Sequence, residues 1–153
     1  MKMKIKIIGI GIALALAFTS ANASPPKDAS EVKAHLEFLG YEISSSSQRM
    51  KATHATELNF FMKSFRGGIL VTAFFGGNDL SKRNKAAFLE VLNSLNAKSA
   101  ASRYYVDGDG DMAIEAYYPG SYDKKSFAAF LDAFQLERAN IAELGDEITM
   151  FLE

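Results

Sequence analysis

Three aspartates at alternate positions, Asp107, Asp109 and Asp111, stand within "YYVDGDGDMAIEAYY", residues 104–118. Oxygen ligands at that spacing open an EF-hand calcium loop, which also needs glycine at its sixth position and a bidentate glutamate at its twelfth. Counted from Asp107, the sixth residue is Met112 and the twelfth is Tyr118. The turn-former and the bidentate ligand are both missing, and the residues that follow alternate like a strand. Asp-Gly, by contrast, is a favoured dipeptide of two-residue hairpin turns. The spacing therefore predicts a hairpin, with no metal site.

Other candidate chemistry is thin. The chain has no cysteine, so thiol catalysis is excluded, and only His35 and His54 could act as imidazole bases. His35 falls on the first helix beside Val32 and Leu36 and His54 near a strand end, and both are expected at the surface or rim. Glu115 projects from the same hairpin as Asp111, and a lone outward glutamate on a strand is expected to be solvated. Lys82, Arg83 and Lys85 fall in the first turn of a helix, where they oppose its dipole and should stand out in solvent. "RGG", residues 66–68, occurs once and reads as a turn. No glycine loop that could cradle a phosphate is present. No enzyme and no cofactor are expected.

The elements that carry these residues follow from periodicity. Asp28 and Glu31 have capping-box spacing, and Val32, Leu36 and Leu39 give one apolar face, so a helix is predicted over 29–39 and closed by Gly40. "YEIS" and "RMKATH" flank the turn "SSSS". "LNFFMKSF" (58–65) and "ILVTAFF" (69–75) form a hairpin around "RGG". Asp79 or Ser81 caps a second helix with a stripe of Phe88, Leu89, Leu92 and Leu95. "SRYYV" and "MAIEAYY" are two further strands. Asp123 caps a last helix, which Gly145 should kink or break. The order α-β-β-β-β-α-β-β-α, with strands arriving as hairpins, predicts an α+β fold with helices packed on an antiparallel sheet.

The N-terminus reads as an address. Lys2, Lys4 and Lys6 precede the apolar run "IIGIGIALALAF", and "ANA" supplies small residues for cleavage after Ala23. The run is shorter than the roughly 20 apolar residues of a membrane span. An exported, periplasmic or secreted chain is expected, with no stable membrane anchor. It would comprise a signal peptide over 1–23, a loose lead-in over 24–28 and one domain over 29–153. Taking the leader's three lysines from 17 basic residues leaves 14 against 18 acids, a mature charge of −4. That argues against a nucleic-acid partner. With no disulfide available, packing alone must hold the fold.

Four aromatic doublets carry the best physical hint of function: Phe60-Phe61, Phe74-Phe75, Tyr104-Tyr105 and Tyr117-Tyr118. Successive strand residues point to opposite faces, so each doublet puts one ring on each side of the sheet. Leu58, Phe60, Met62, Ile69, Val71, Phe75, Tyr104, Val106, Ile114 and Tyr118 are assigned to the helix-covered side. Phe61, Phe65, Phe74, Tyr105 and Tyr117 fall on the other. Left uncovered, they form an apolar patch of the kind that binds partners; covered by the first helix or a curled sheet, they are core.

From "HLEFLGYEI" onward, through "FLEVLNSLNAKSAASRYYVDGDGDMAIEAYY" and the closing "FAAFLDAF", the chain resembles the YbjN-like domain family, described as candidate bacterial sensory-transduction regulators. The resemblance matches Asn93 and Asn96 to two asparagines three apart, and Asp109, Gly110 and Asp111 to an acidic turn; Leu95 departs from an aromatic often found between the asparagines. It implies a type III secretion chaperone-like fold, a tendency to dimerise or hold partner polypeptides, and no catalytic residues. It gives the asparagines a fold role, capping or bracing the helix-to-strand connection. The expected function is a non-enzymatic exported module that binds a protein partner or a second copy of itself. The alternative is a protein that binds a small ligand or, weakly, a divalent metal, or an unrecognised hydrolase, using a cleft beside Asp109, Asp111 and Glu115.

Overall fold

The computed structural model describes residues 28–46 and 49–153. The segment expected as a signal peptide, most of the expected lead-in and part of the "SSSS" turn lie outside the described residues. The elements run α1 Ala29–Phe38, β1 Glu42–Ser45, β2 Met50–Thr53, β3 Phe60–Phe65, β4 Gly68–Phe75, α2 Asp79–Arg83, α3 Lys85–Lys98, β5 Ser102–Val106, β6 Met112–Tyr118, α4 Lys124–Gln135, α5 Glu137–Leu144 and α6 Asp146–Thr149. The expected order holds, with the middle helix divided at Asn84 and the last at Leu136 and Gly145.

All six strands form one antiparallel sheet, ordered β1-β2-β3-β4-β6-β5. Helices cover one side of it. Val32 and Leu36 of α1, Phe88, Leu92 and Leu95 of α3, Phe127, Leu131 and Phe134 of α4 and Ile148 of α6 pack with Phe60, Met62, Val71 and Ile114 in a single core. Every residue assigned from the alternation to the helix-covered side belongs to this core or packs against its rim. Leu89, expected in the α3 stripe, is instead 45% exposed. It lies one position past the i, i+4, i+7 set of Phe88, Leu92 and Leu95 that faces the sheet.

Long-range contacts displaced two predicted caps. Asp28 makes no capping bond; its carboxylate accepts from the Tyr122 backbone N–H at 3.1 Å, which ties α1 to the start of the α4 segment. The second helix is capped by Asn78, not by Asp79 or Ser81. The Asn78 side-chain oxygen accepts from Leu80 and Ser81 N–H, while its amide nitrogen donates to the carbonyls of Met150 and Leu152. One residue thus caps a helix and fastens the C-terminal end, where Phe151 stacks on Phe88 at 4.9 Å.

Candidate functional site on the uncovered sheet face

The aspartate segment is a hairpin, but not with a two-residue turn. Asp107 and Asp111 are joined by a backbone bond of 3.0 Å, leaving three residues at the tip. Gly110 takes φ +89°, the left-handed position of a three-residue loop. The Asp107 carboxylate accepts from Asp109 N–H at 2.9 Å and Asp111 N–H at 3.0 Å. Asp111 accepts from Gly77 N–H at 2.9 Å, and the Gly110 carbonyl accepts from the Ser81 hydroxyl at 3.0 Å. A Cβ on Gly77 would come within 2.0 Å of that carbonyl, so only glycine allows the loop to dock there. Asp109 is exposed at the tip. Among the described residues no three His, Asp or Glu side chains converge to hold a metal ion.

Glu115 is not solvated as expected. It is 8% exposed, because Arg103 lies directly opposite it in the β5–β6 register and forms an ion pair over it. The Tyr105 hydroxyl reaches its second oxygen at 3.4 Å. The two depressions that Glu115 lines include neither Asp109 nor Asp111.

The side of the sheet turned away from the helices carries all five candidate rings. Phe65, Phe74 and Tyr117 are 39%, 41% and 40% exposed, and Phe61 and Tyr105 are half-buried. No described helix packs over them. The rings pair edge to face, Phe61 with Phe74 at 5.9 Å and Phe65 with Tyr117 at 6.1 Å. The Tyr117 hydroxyl donates to the Arg66 carbonyl at 3.0 Å, fixing the second pair against the β3–β4 turn.

Cations sit among the rings, a feature the sequence reading missed. Arg49 lies 4.1 Å above the centre of Phe61, Arg66 5.1 Å above Phe65 and Arg103 5.6 Å above Tyr105. Lys51 and Lys63 share the face, as the pairings Lys51↔Phe61 and Lys63↔Leu70 require. The signal was present in the alternation: Lys63 stands between Phe61 and Phe65 with same-face parity. Two depressions run over this surface. One, of about 260 Å³, is floored by Leu70 and Thr72 between Phe61, Phe74 and Tyr105, with Arg49 and Lys63 at its rim. The other, of about 580 Å³, lies between Tyr117, Arg66, Arg103 and the Ala100–Ser102 turn. They meet at Leu70 and Glu115.

The remaining polar candidates build the fold. His35 is buried rather than at the surface. Its Nδ1 is 2.9 Å from the Tyr122 hydroxyl, and burial, aided by the Lys124 charge, lowers its pKa. The Nδ1 of His54 accepts from Thr56 and Glu57 N–H, both at 3.1 Å. The amide of Asn96 pairs with both backbone groups of Tyr104, accepting from N–H at 2.8 Å and donating to C=O at 3.1 Å. That braces α3 to β5 and occupies part of an edge strand. Asn93 is exposed and makes no such bond among the described residues. Buried Glu137 accepts from Ser99, Tyr104 and Asn140 at 2.6–2.7 Å. Burial, the largest single influence, raises its pKa, but these hydrogen bonds outweigh it and leave the pKa lowered. A further groove of about 830 Å³, also unforeseen, lies on the helical side between Leu39, Leu131, Leu136 and Ala139.

No family model matches the chain, and no curated protein matches it. Among solved structures it is similar to YbjN from E. coli, described as a proposed transcription regulator, with a TM-score of 0.56 over 74% of this chain and 92% of that one. Identity is 14%, so the likeness is one of fold: this chain has a YbjN-like α+β fold.

Proposed function

We propose that the protein is a non-enzymatic exported module, chaperone-like or regulatory in type, which holds a polypeptide partner on its uncovered sheet face. One observation carries the reading. Five aromatic rings, Phe61, Phe65, Phe74, Tyr105 and Tyr117, share a face over which no described helix packs. Exposed apolar area gathered on one face is the usual mark of an interaction surface. A regulatory role like the one proposed for YbjN is compatible with this when exerted through protein contacts. The leader, with Lys2, Lys4 and Lys6 before an apolar run and "ANA", supports action outside the cytoplasm.

The test is affinity capture from a crosslinked periplasmic extract, with the chain from Ser24 as bait and Phe61→Ser and Phe74→Ser as controls. A partner captured by the parent and lost in both variants, while both keep their cooperative melting transitions, supports the reading. Equal capture by all three baits, or unfolding of both variants, contradicts it.

A further inference from the structure

Resting on the reading of this face as a polypeptide-binding surface, we infer that the segment it takes is acidic, with one aromatic or large aliphatic side chain flanked by aspartate or glutamate. The two joined depressions are lined by four cations, Arg49 and Lys63 on one side and Arg66 and Arg103 on the other, and by a single carboxylate, Glu115. That carboxylate is already paired with Arg103. Among the described residues Arg49, Lys51, Lys63 and Arg66 have no carboxylate within ion-pair distance. Positive charge left without a counter-ion along a groove, on a chain that is acidic as a whole, calls for an anionic occupant.

Two acids stand near this surface, Glu42, diagonal to Lys51 across the β1–β2 pairing, and Asp111 in the β5–β6 loop, and neither lines the two depressions. Asp111 is four residues along β6 from Glu115, about 13 Å at strand rise. Asp107 and Asp111 are also turned onto backbone N–H groups. Among the described residues, Arg49, Lys63 and Arg66 thus line the groove with no carboxylate paired to them.

Shape and ring geometry decide between anions. The depression of about 260 Å³ opens at Leu70 and Glu115 into the larger one of about 580 Å³. It is suited to one side chain, and the adjoining depression gives the flanking backbone a track. Single-stranded nucleic acid would stack its bases on open rings, yet Phe61, Phe65 and Tyr105 each carry a guanidinium over one face. A lipid surface would favour rings that project, and here Phe65, Phe74 and Tyr117 stay more than half covered. A second copy laid groove to groove would bring the same cations together.

The test is a display selection of short random peptides on the chain from Ser24, with Phe74→Ser and the double variant Arg49→Glu/Lys63→Glu alongside. The expected result is enrichment of peptides with Asp or Glu on both sides of an aromatic or leucine. Affinity of the leading peptide, read by fluorescence anisotropy, should fall about tenfold or more in the double variant and weaken as salt is raised. Should the charge reversal disturb the melting transition, Arg49→Gln/Lys63→Gln carries the comparison. Neutral or basic peptides whose binding is lost in Phe74→Ser would overturn the acidic inference and leave the protein-binding reading standing. Absence of any peptide sensitive to Phe74→Ser would overturn both. Tighter, Arg49- and Lys63-dependent binding of phosphatidylglycerol vesicles or oligothymidine, or self-association lost in Phe74→Ser, would replace the peptide as occupant.

Discussion

The two faces of β4 come from one run of residues and part company at its end. Ile69, Val71 and Ala73 are at most 3% exposed beneath the helices; on the other side Leu70 and Thr72 are 7% and 8% exposed and Phe74 is 41% exposed. Neighbouring rings repeat the contrast: Phe60 is 1% exposed and Tyr118 5%, against 40% for Tyr117. The sheet needs only its covered face for a core. Rings on the far side then contribute less to folding and remain in part available for contacts, and the arginines that lie over three of them keep that face in water.

The comparison can be broken first at its largest expected effect. Phe60→Ala should destabilise the chain by about 3–5 kcal/mol, the range for emptying a phenylalanine site in a packed core, measured by urea unfolding. Asn96→Ala should cost about 1–3 kcal/mol by removing both partners of Tyr104's backbone, and should raise concentration-dependent association by freeing the β5 edge. Asn93→Ala should stay within about 0.5 kcal/mol. Phe74→Ser, the open-face counterpart of Phe60→Ala, should cost only about 1–2 kcal/mol while abolishing partner capture. Comparable losses from Phe60→Ala and Phe74→Ser would erase the distinction between the faces.

Two smaller effects sharpen the contrast. Glu137 has its folded-state pKa lowered from 4.5, so its contribution to stability is present above that pH and is lost as pH falls below it. Thermal melts should therefore show a steeper acid-side decline for the parent than for Glu137→Gln, and parallel declines would contradict the assignment. Calcium or a chelator should move the melting temperature by less than about 1 °C, because the Asp107 and Asp111 carboxylates already accept backbone N–H groups.

Much of the fold was legible because it rests on local periodicity. The alternation of "ILVTAFF" and "MAIEAYY" separates core from open face, and Gly145 breaks the last helix at φ +48° as its low helix propensity implies. What escaped depends on partners distant in sequence. Asp28 has the right spacing for a capping box, yet its carboxylate binds Tyr122, which only the packed α1 and α4 segments bring near. Asn78 wins the cap over Asp79 because it also holds the carbonyls of Met150 and Leu152. Asn93 and Asn96 are chemically identical, and only the position of β5 makes one a brace. Glu115 looked solvated until the register set Arg103 across from it. The candidate rings could be assigned from parity alone, whereas the cationic groove required the lateral order of β2, β3, β4, β6 and β5.

The central claim is that the uncovered face, rather than any other exposed apolar surface, meets the partner. Hydroxyl-radical footprinting tests it most directly, comparing the chain from Ser24 in buffer and in periplasmic extract. The account predicts that Phe65, Phe74 and Tyr117 become protected in extract while Phe38, Leu136 and Met150, which are 81%, 66% and 54% exposed, stay labelled. Protection of Phe38 and Leu136 with unchanged labelling of Phe74 would contradict it and move the site to the helical side.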